Sequence, residues 1–482
     1  MQYALHLPPI PLGLISVILL AIHMVGIAAA AHALMHTRTS QGAVAWVFGL
    51  VLLPYFTLLP YLFLGRKHFY GYVELRHSRA SHKHVRTQAA STKTSHQTDQ
   101  PPPAAGAQRF AALTNMLGND FHGGHRLTLL IDGEAAFAAM LTAIAAAEHY
   151  VLVQFFIIHD DHIGRRLQAV LLACAARGVR VCVLYDGIGS HGLPRSYVDK
   201  LRAGSVEIHP FATRRWRNRL QLNFRNHRKI VVIDGWRGFV GGLNVGDEYL
   251  GSKPPLSPWR DTHMELQGPA VDDLQLAFDE NWQWLRGERL TLLPPRSIEG
   301  TATSLIAATG PADAQESCSL FFVALIHAAR QRVWITTPYL VPDPAVFAAL
   351  QLAVFRGVDV RILLPSRPDH RTVFMATTLC AHEAVRAGIR VFRYLPGFTH
   401  QKVMLIDDDS SVVGSMNLDN RSLRLNFEVA ALNIDRDFAQ KVDDMLKNDF
   451  SNALEIGKDE YQRLPYLYKV AMHVATLFAP VL

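Results

Sequence analysis

Cysteine is scarce in this chain: there are four in 482 residues, Cys174, Cys182, Cys318 and Cys380, and no two are spaced as C-x-x-C. That pattern excludes a disulfide-stapled scaffold and a cysteine zinc site. Three of the four sit in apolar stretches, so buried thiols are expected. The nearest approach to a metal motif, His122-Gly123-Gly124-His125, lacks a third ligand, and no metal is expected there. Formal charge is missing from two long runs, the 24 residues Leu12 to Met35 and the 23 residues Gly42 to Leu64. At 1.5 Å per helical residue each spans roughly 35 Å, enough for a hydrocarbon core of about 30 Å. Residues 1–65 therefore read as a transmembrane hairpin with helices at about 12–35 and 42–64. Met1 to Pro11 also has no Lys or Arg, which argues against a cleaved signal peptide.

What charge there is near the hairpin falls on one side. His36 to Gln41 offers only Arg38, whereas Gly65 to Gln108 holds seven basic residues (Arg66, Lys67, Arg76, Arg79, Lys83, Arg86, Lys93) against Glu74 and Asp99. The positive-inside rule puts this linker and all that follows in the cytoplasm. Most of the formal +7 of the chain lies in this segment, so the net charge suits adhesion to an anionic membrane and is a poor argument for nucleic acid. Residues 66–108 are otherwise rich in Ser, Thr, His and Gln and end in Pro101-Pro102-Pro103, the composition of a basic disordered linker. Its five histidines, from His68 to His96, read as solvated.

The informative pattern further on is H-x-K, four apolar residues, then Asp. It occurs as His227-Arg228-Lys229 running to Asp234 and again, 173 residues later, as His400-Gln401-Lys402 running to Asp407. Ile230 to Ile233 and Val403 to Ile406 read as short buried strands. On an extended segment, residues two apart face the same side, so His227 should point with Lys229 and His400 with Lys402. Each copy closes on a Gly-rich string ending in Asn, Gly241-Gly242-Leu243-Asn244 and Gly414-Ser415-Met416-Asn417, with Asn seventeen residues after His. Lysine is a point charge for anionic oxygens, and neutral histidine is a nucleophile or general base. Two such pairs suggest one site built from two similar halves, acting on a phosphate.

The surrounding chain repeats as well. Ala176-Arg177-Gly178-Val179-Arg180-Val181 recurs as Phe355-Arg356-Gly357-Val358-Asp359-Val360, each after an Ala- and Leu-rich helical stretch and a strand, Val151 to Ile158 or Val333 to Thr337. Strand, helix, strand implies parallel sheets covered by helices. An α/β fold follows, with two domains related by a pseudo-twofold, 109–295 and 296–455. Residues 456–482 form an amphipathic tail with Leu464, Leu467, Ala471, Val474 and Phe478 on one helical face, suited to the bilayer or to packing on the body.

With its paired strings the chain resembles the phospholipase D superfamily. Asn226-His227-Arg228-Lys229, the endings Gly241 to Tyr249 and Gly414 to Ser422, Leu425-Asn426-Phe427-Glu428, and Thr336-Thr337-Pro338-Tyr339 resemble bacterial cardiolipin synthases of the two-motif type, over nearly the whole chain. One departure is Gly242, where the superfamily usually has Ser; the second copy keeps Ser415, so the half-sites should be unequal. The resemblance implies two phospholipase D-like domains, a multi-pass bacterial inner-membrane location with the catalytic domains cytoplasmic, and phosphatidyl transfer between two phosphatidylglycerol molecules to give cardiolipin and glycerol. It implies no cofactor. It also implies a phosphohistidine on His227, with His400 as acid and then base, although the residues themselves do not separate the two.

Lys229, Lys402, Asn244 and Asn417 are candidates for holding the non-bridging oxygens, with Ser415 and Arg225 also at the substrate. Asp234 and Asp407 belong to the motif, yet Asp234-Gly235 is equally a hairpin turn. Asp261 and Glu428, at comparable places after the two motifs, are the better acceptors for orienting the imidazoles. Arg214 to Lys229, basic and interleaved with Trp216 and Phe224, suits lipid headgroups, nucleic-acid phosphates or plain solvent. Competing functions are a hydrolytic phospholipase D, a synthase with phosphatidylethanolamine as donor, a membrane-tethered nuclease, and an inactive scaffold. The hairpin favours lipid over nucleic acid, and the intact His and Lys of both copies oppose the scaffold. Oligomeric state is not legible.

Overall fold

The computed structural model describes residues 12–37, 40–65, 105–211, 224–252 and 254–478. Residues 66–104 of the basic linker and Arg214 to Arg219 of the cationic segment lie outside the described residues, while 105–108, expected as disordered linker, are ordered in a short 3-10 helix, Ala105–Phe110. Two compact units result, and each is taken by itself.

The first unit is helical. Helix α1, Leu12–His36, is apolar and long enough to cross a membrane. The second apolar stretch, expected as one helix over 42–64, is instead two, α2 (Ser40–Leu52) and α3 (Pro54–Leu64). Pro54 has no N–H to donate to Leu50 and its ring obstructs the preceding turn, so the helix stops at Leu52 and Leu53 leaves the helical conformation. The chain bends there sharply enough for the Thr57 hydroxyl to donate to the Gly49 carbonyl at 2.8 Å, eight residues back. Tyr61 returns to meet the Trp46 ring at 5.1 Å and His32 Nδ1 at 2.6 Å.

The second unit is α/β around a mixed sheet whose strand order reads nearly the same from either end. In the first half Tyr150–Phe155, Arg180–Asp186 and Glu207–Phe211 run parallel, and Tyr150–Phe155 continues antiparallel through Ile230–Ile233, Arg237–Gly241, Thr262–Gln267 and His122–Ile131. The second half repeats this with Arg332–Thr336, Asp359–Pro365 and Arg390–Tyr394, then Val403–Ile406, Ser410–Gly414, Asn426–Ile434 and Ala302–Thr309. His122–Ile131 pairs with Ala302–Thr309 and joins the halves into one sheet.

The repeated Arg-Gly-Val strings end equivalent helices. His162–Ala176 begins on the Asp161 cap and Pro344–Phe355 on the Asp343 cap, and the chain leaves each through a glycine with positive φ, Gly178 at 86° and Gly357 at 82°. Each half has its own apolar core. Residues 105–117 pack in the second half's core, where Phe110 and Leu113 meet Phe321 and Leu325. In the C-terminal tail, helix Tyr466–Thr476 buries Met472 and Ala475, the latter against Val341 and Ala376. Of the face expected to meet the bilayer or the body, Leu467, Val474 and Phe478 point outward rather than onto the body.

Candidate active site

Each motif histidine stands where a two-residue strand of one half reaches the carboxylate-bearing strand of the other. Arg225–Asn226 runs parallel to Asn426–Phe427, and His227 N donates to the Phe427 carbonyl. Phe398–Thr399 runs parallel to Trp259–Arg260, and His400 N donates to the Arg260 carbonyl. Glu428 and Asp261 follow directly on those partner strands. His227 Nδ1 lies 3.0 Å from both Glu428 carboxylate oxygens, and His400 Nδ1 lies 2.8 Å from Asp261 Oδ2. The pairing is crossed: each half orients the other half's imidazole.

A carboxylate only accepts, so Nδ1 carries the proton in both rings and the Nε2 lone pair is left for chemistry. Lys402 Nζ also lies 2.8 Å from His400 Nδ1, but one ring nitrogen cannot both donate and accept, and the ammonium's hydrogen bond goes to the His400 carbonyl. Burial lowers the His227 pKa against the raising effect of Glu428. Burial and then the Lys402 charge lower His400 to about 4. Both imidazoles are thus neutral at pH 7 before substrate arrives. The acids stay ionised: burial would raise them, but Lys402 and His400 hold Asp261 low, and His227 and Lys229 hold Glu428 low.

Lys229 and Lys402 are buried beneath the rings, Lys229 Nζ donating to the His227 carbonyl at 2.8 Å. Burial brings Lys402 down to about 8 and Lys229 well below its usual value. An incoming phosphate restores the advantage of the charged form.

The half-sites are unequal. Glu428 is held by Ser415 Oγ, by Ser422 Oγ at 2.8 Å and by Asn426 Nδ2 at 3.1 Å. Asp261, one methylene shorter, is drawn toward Gly242, where an added Cβ would stand 2.1 Å from Oδ1. Serine is absent from this position because the carboxylate occupies its space. Ser415, expected at the substrate, is fully buried against Glu428 and outside the pocket; it positions the carboxylate instead.

Asp234 and Asp407, expected among the catalytic groups, do not join the imidazoles. They occupy the hairpin turns beyond the strands with φ of 49° and 52°. Asp234 accepts the backbone amides of Glu148, His149 and Tyr150. Asp407 accepts those of Arg330, Gln331 and Arg332 and pairs with Arg109 at 2.9 Å. Four strand residues separate each Asp from its Lys, which carries it to the far end of the strand. Arg228, expected in a headgroup-facing segment, is fully buried and donates to the carbonyls of Glu428, Ala277 and Thr309.

His227 and His400 line a single cavity of about 570 Å³, together with Arg225, Asn244 and Asn417. Asn244 Oδ1 accepts Ile157 N at 3.2 Å, whereas Asn417 Oδ1 is buried with no partner. Sequence reasoning missed Tyr249, Asp369 and Arg421 in this wall, and missed the Tyr339 hydroxyl, which donates to Asp369. Tyr339 and Arg421 stood inside strings already singled out; Asp369 carries no local signal. His122 and His125 lie in a strand, and His125 is spent on the Ala302 carbonyl and the Ala270 amide. Among the described residues no group of three His, Cys, Asp or Glu is placed to hold a metal ion.

The palindromic sheet and the two crossed His–carboxylate pairs define a two-half phosphodiester-transfer site of the phospholipase D type. Residues 140–254 and 322–450 match the family described as "Cardiolipin synthase, PLD-like domain", and residues 24–66 match "Phospholipase_D-nuclease N-terminal". The chain is 53% identical over 466 residues to cardiolipin synthase A of Pseudomonas entomophila (strain L48), covering 96% of this chain and 97% of that one. It is 52% identical over 473 residues to cardiolipin synthase A of Pseudomonas aeruginosa (strain LESB58), covering 97% and 96%. A solved phosphatidylserine synthase of Haemophilus influenzae shares the fold, with a TM-score of 0.60 at 13% identity over 78% of this chain and 100% of that one. The chain belongs to the cardiolipin synthase family with phospholipase D-like domains.

Proposed function

We propose that this protein is a membrane-bound cardiolipin synthase that transfers a phosphatidyl group from one phosphatidylglycerol to another, releasing glycerol. Membership in the family supports the product. The observation that carries the mechanism is the crossed pair of oriented, neutral imidazoles facing one cavity.

In the first step His227 Nε2 bonds to phosphorus while the P–O bond to glycerol breaks, and His400, as imidazolium, protonates the departing oxygen. We give attack to His227 because the family resemblance implies that order. Both rings are neutral on their own, so His400 takes up a proton from solvent as the anionic lipid binds and its charge raises that ring's pKa. In the second step a hydroxyl of the second phosphatidylglycerol yields its proton to His400, its oxygen bonds to phosphorus, and the P–N bond breaks. One diester replaces another, and no ATP is consumed. Lys229, Lys402, Asn244 and Asn417 serve the non-bridging oxygens, and Asp261 and Glu428 hold the rings. Arg225 serves lipid phosphate at the cavity wall. The two-domain division 109–295 and 296–455, the multi-pass anchor in the bacterial inner membrane and the cytoplasmic position of the site belong to the same reading, supported by the charge asymmetry around the hairpin.

The test is purified enzyme in detergent with phosphatidylglycerol alone, beside His227→Ala and His400→Ala. Cardiolipin and glycerol should form with the unaltered enzyme and with neither variant. Phosphatidic acid in place of cardiolipin would make it a hydrolase. A requirement for added phosphatidylethanolamine would replace the donor.

A further inference from the structure

The cavity's two walls are related by the internal repeat, yet they carry opposite charge. The parallel pairings of Arg225–Asn226 with Asn426–Phe427 and of Phe398–Thr399 with Trp259–Arg260 make Arg225 equivalent to Phe398, and Asn426 to Trp259. Arg421 stands four residues after Asn417, as Glu248 stands four after Asn244. One wall therefore presents Arg225 and Arg421, and the related wall presents Glu248 and Trp259; all four line the cavity that holds His227 and His400.

Both guanidiniums line the cavity, and Asp186 acts on both. Burial lowers the pKa of Arg225 against the raising charge of Asp186, and the charge of Arg421 adds to the lowering. The acids that offset them are engaged by other donors as well. Asp186 accepts the backbone amides of Ile188, Gly189 and Asn226. Asp419 accepts Ser422 N and Asn417 Nδ2. Two half-buried like charges on one wall of a cavity suit a bidentate anion between them.

We propose that Arg225 and Arg421 form a subsite for the phosphodiester that does not react, the acceptor lipid's own phosphate, held while its glycerol hydroxyl attacks. This rests on the cardiolipin-forming reading. A donor brings one phosphate, which goes to the imidazoles and lysines. An acceptor phosphatidylglycerol brings a second, a glycerol unit away, whereas free glycerol or water brings none. Transfer to a neutral alcohol needs no cation outside the reacting centre. The counterpart wall has Glu248, paired with His159 at 3.1 Å, where this one has Arg421, so only the Arg225 wall offers a second phosphate two cations.

The full-length enzyme in detergent, given phosphatidylglycerol and labelled glycerol, reports both acceptors at once: cardiolipin from lipid, and labelled phosphatidylglycerol from glycerol exchange. Arg421→Gln and Arg225→Gln should each lower the ratio of cardiolipin to exchange about tenfold, the loss of one charge-assisted contact, with Arg→Lys intermediate. A parallel fall of both products at constant ratio would overturn the subsite, since the pair would then serve the reacting phosphate. Unchanged cardiolipin formation would overturn it equally. Thermal unfolding checks that each variant is folded; should the Gln forms fail, the Lys forms carry the same ratio test. If the unaltered enzyme exchanges glycerol but forms no cardiolipin, the proposed function fails, which is separate from any effect of the arginines.

Discussion

His227 of the first half donates its Nδ1–H to Glu428 of the second, 3.0 Å away, and the converse pair, His400 with Asp261, runs back across the same boundary at 2.8 Å. Neither half can orient its own imidazole. The pseudo-twofold thus makes one site rather than two, and the catalytic unit is the whole sheet.

Replacing either carboxylate by its amide should therefore disable the ring in the opposite half. Glu428→Gln and Asp261→Asn are each expected to lower kcat by about 10²-fold or more, because an amide can also stabilise the wrong tautomer. If His227 is the nucleophile, covalent lipid–enzyme should fail to accumulate in Glu428→Gln, whereas in Asp261→Asn, which weakens both the acid of the first step and the base of the second, it should form more slowly and then persist. Rapid-quench trapping distinguishes these. Equal loss of the adduct in both variants would argue against the division of roles.

The motif aspartates should behave as structural groups. Asp234→Ala frees three backbone amides and is expected to cost about 1–3 kcal/mol of stability, and Asp407→Ala, which also takes from Arg109 one of its two acid partners, somewhat more. The folded fraction should keep its kcat. Thermal unfolding beside activity per folded molecule checks this, and a variant of normal Tm that is inactive would restore Asp234 to the chemistry.

Gly242→Ser restores the superfamily's usual residue and should nevertheless harm this enzyme. The new Cβ would stand 2.1 Å from Asp261 Oδ1, so the carboxylate must move off His400. Activity should fall by an order of magnitude or more, while Gly242→Ser combined with Asp261→Glu should recover less than the unaltered enzyme but more than the single change. Full activity of the single variant would show that the glycine is incidental.

Acid should destabilise the body in a defined window. Burial lowers His125, His263 and His400 to about 4 in the folded chain. The unfolded chain protonates near 6.5, so between these values it binds more protons and stability falls as pH falls. Each group can contribute up to about 3 kcal/mol across that range. Tm in detergent should drop between pH 6.5 and 4.5, with a shallower slope in His263→Gln, which cannot take the proton. A flat profile would mean that these rings are protonated in the fold.

The strands Ile230–Ile233 and Val403–Ile406, the positive-φ turns at Asp234 and Asp407, the repeated helix ends at Gly178 and Gly357, and the membership of His227, His400, Asn244, Asn417 and Arg225 in one cavity all follow from short strings that can be read in order. Such features depend on residues a few positions apart, where periodicity and turn chemistry act. The choice of Asp261 and Glu428 as orienting acids was equally legible, since each follows its motif at a comparable place. The break at Pro54 was written in the sequence too, but the uncharged run around it masked the missing N–H.

What the tertiary structure alone decided is which half serves which. Glu428 reaches His227 because Arg225–Asn226 pairs with Asn426–Phe427, a contact spanning about two hundred residues that no local pattern encodes. The same long-range pairing takes Ser415 from the substrate to Glu428, sends Asp234 and Asp407 to the far ends of their strands, and puts Arg225 in one cavity with Arg421 while their symmetry mates are Phe398 and Glu248. The sequence determined that there are two half-sites and what chemistry each carries. Register and strand order, set by burial over the whole sheet, determined how the halves complete one another.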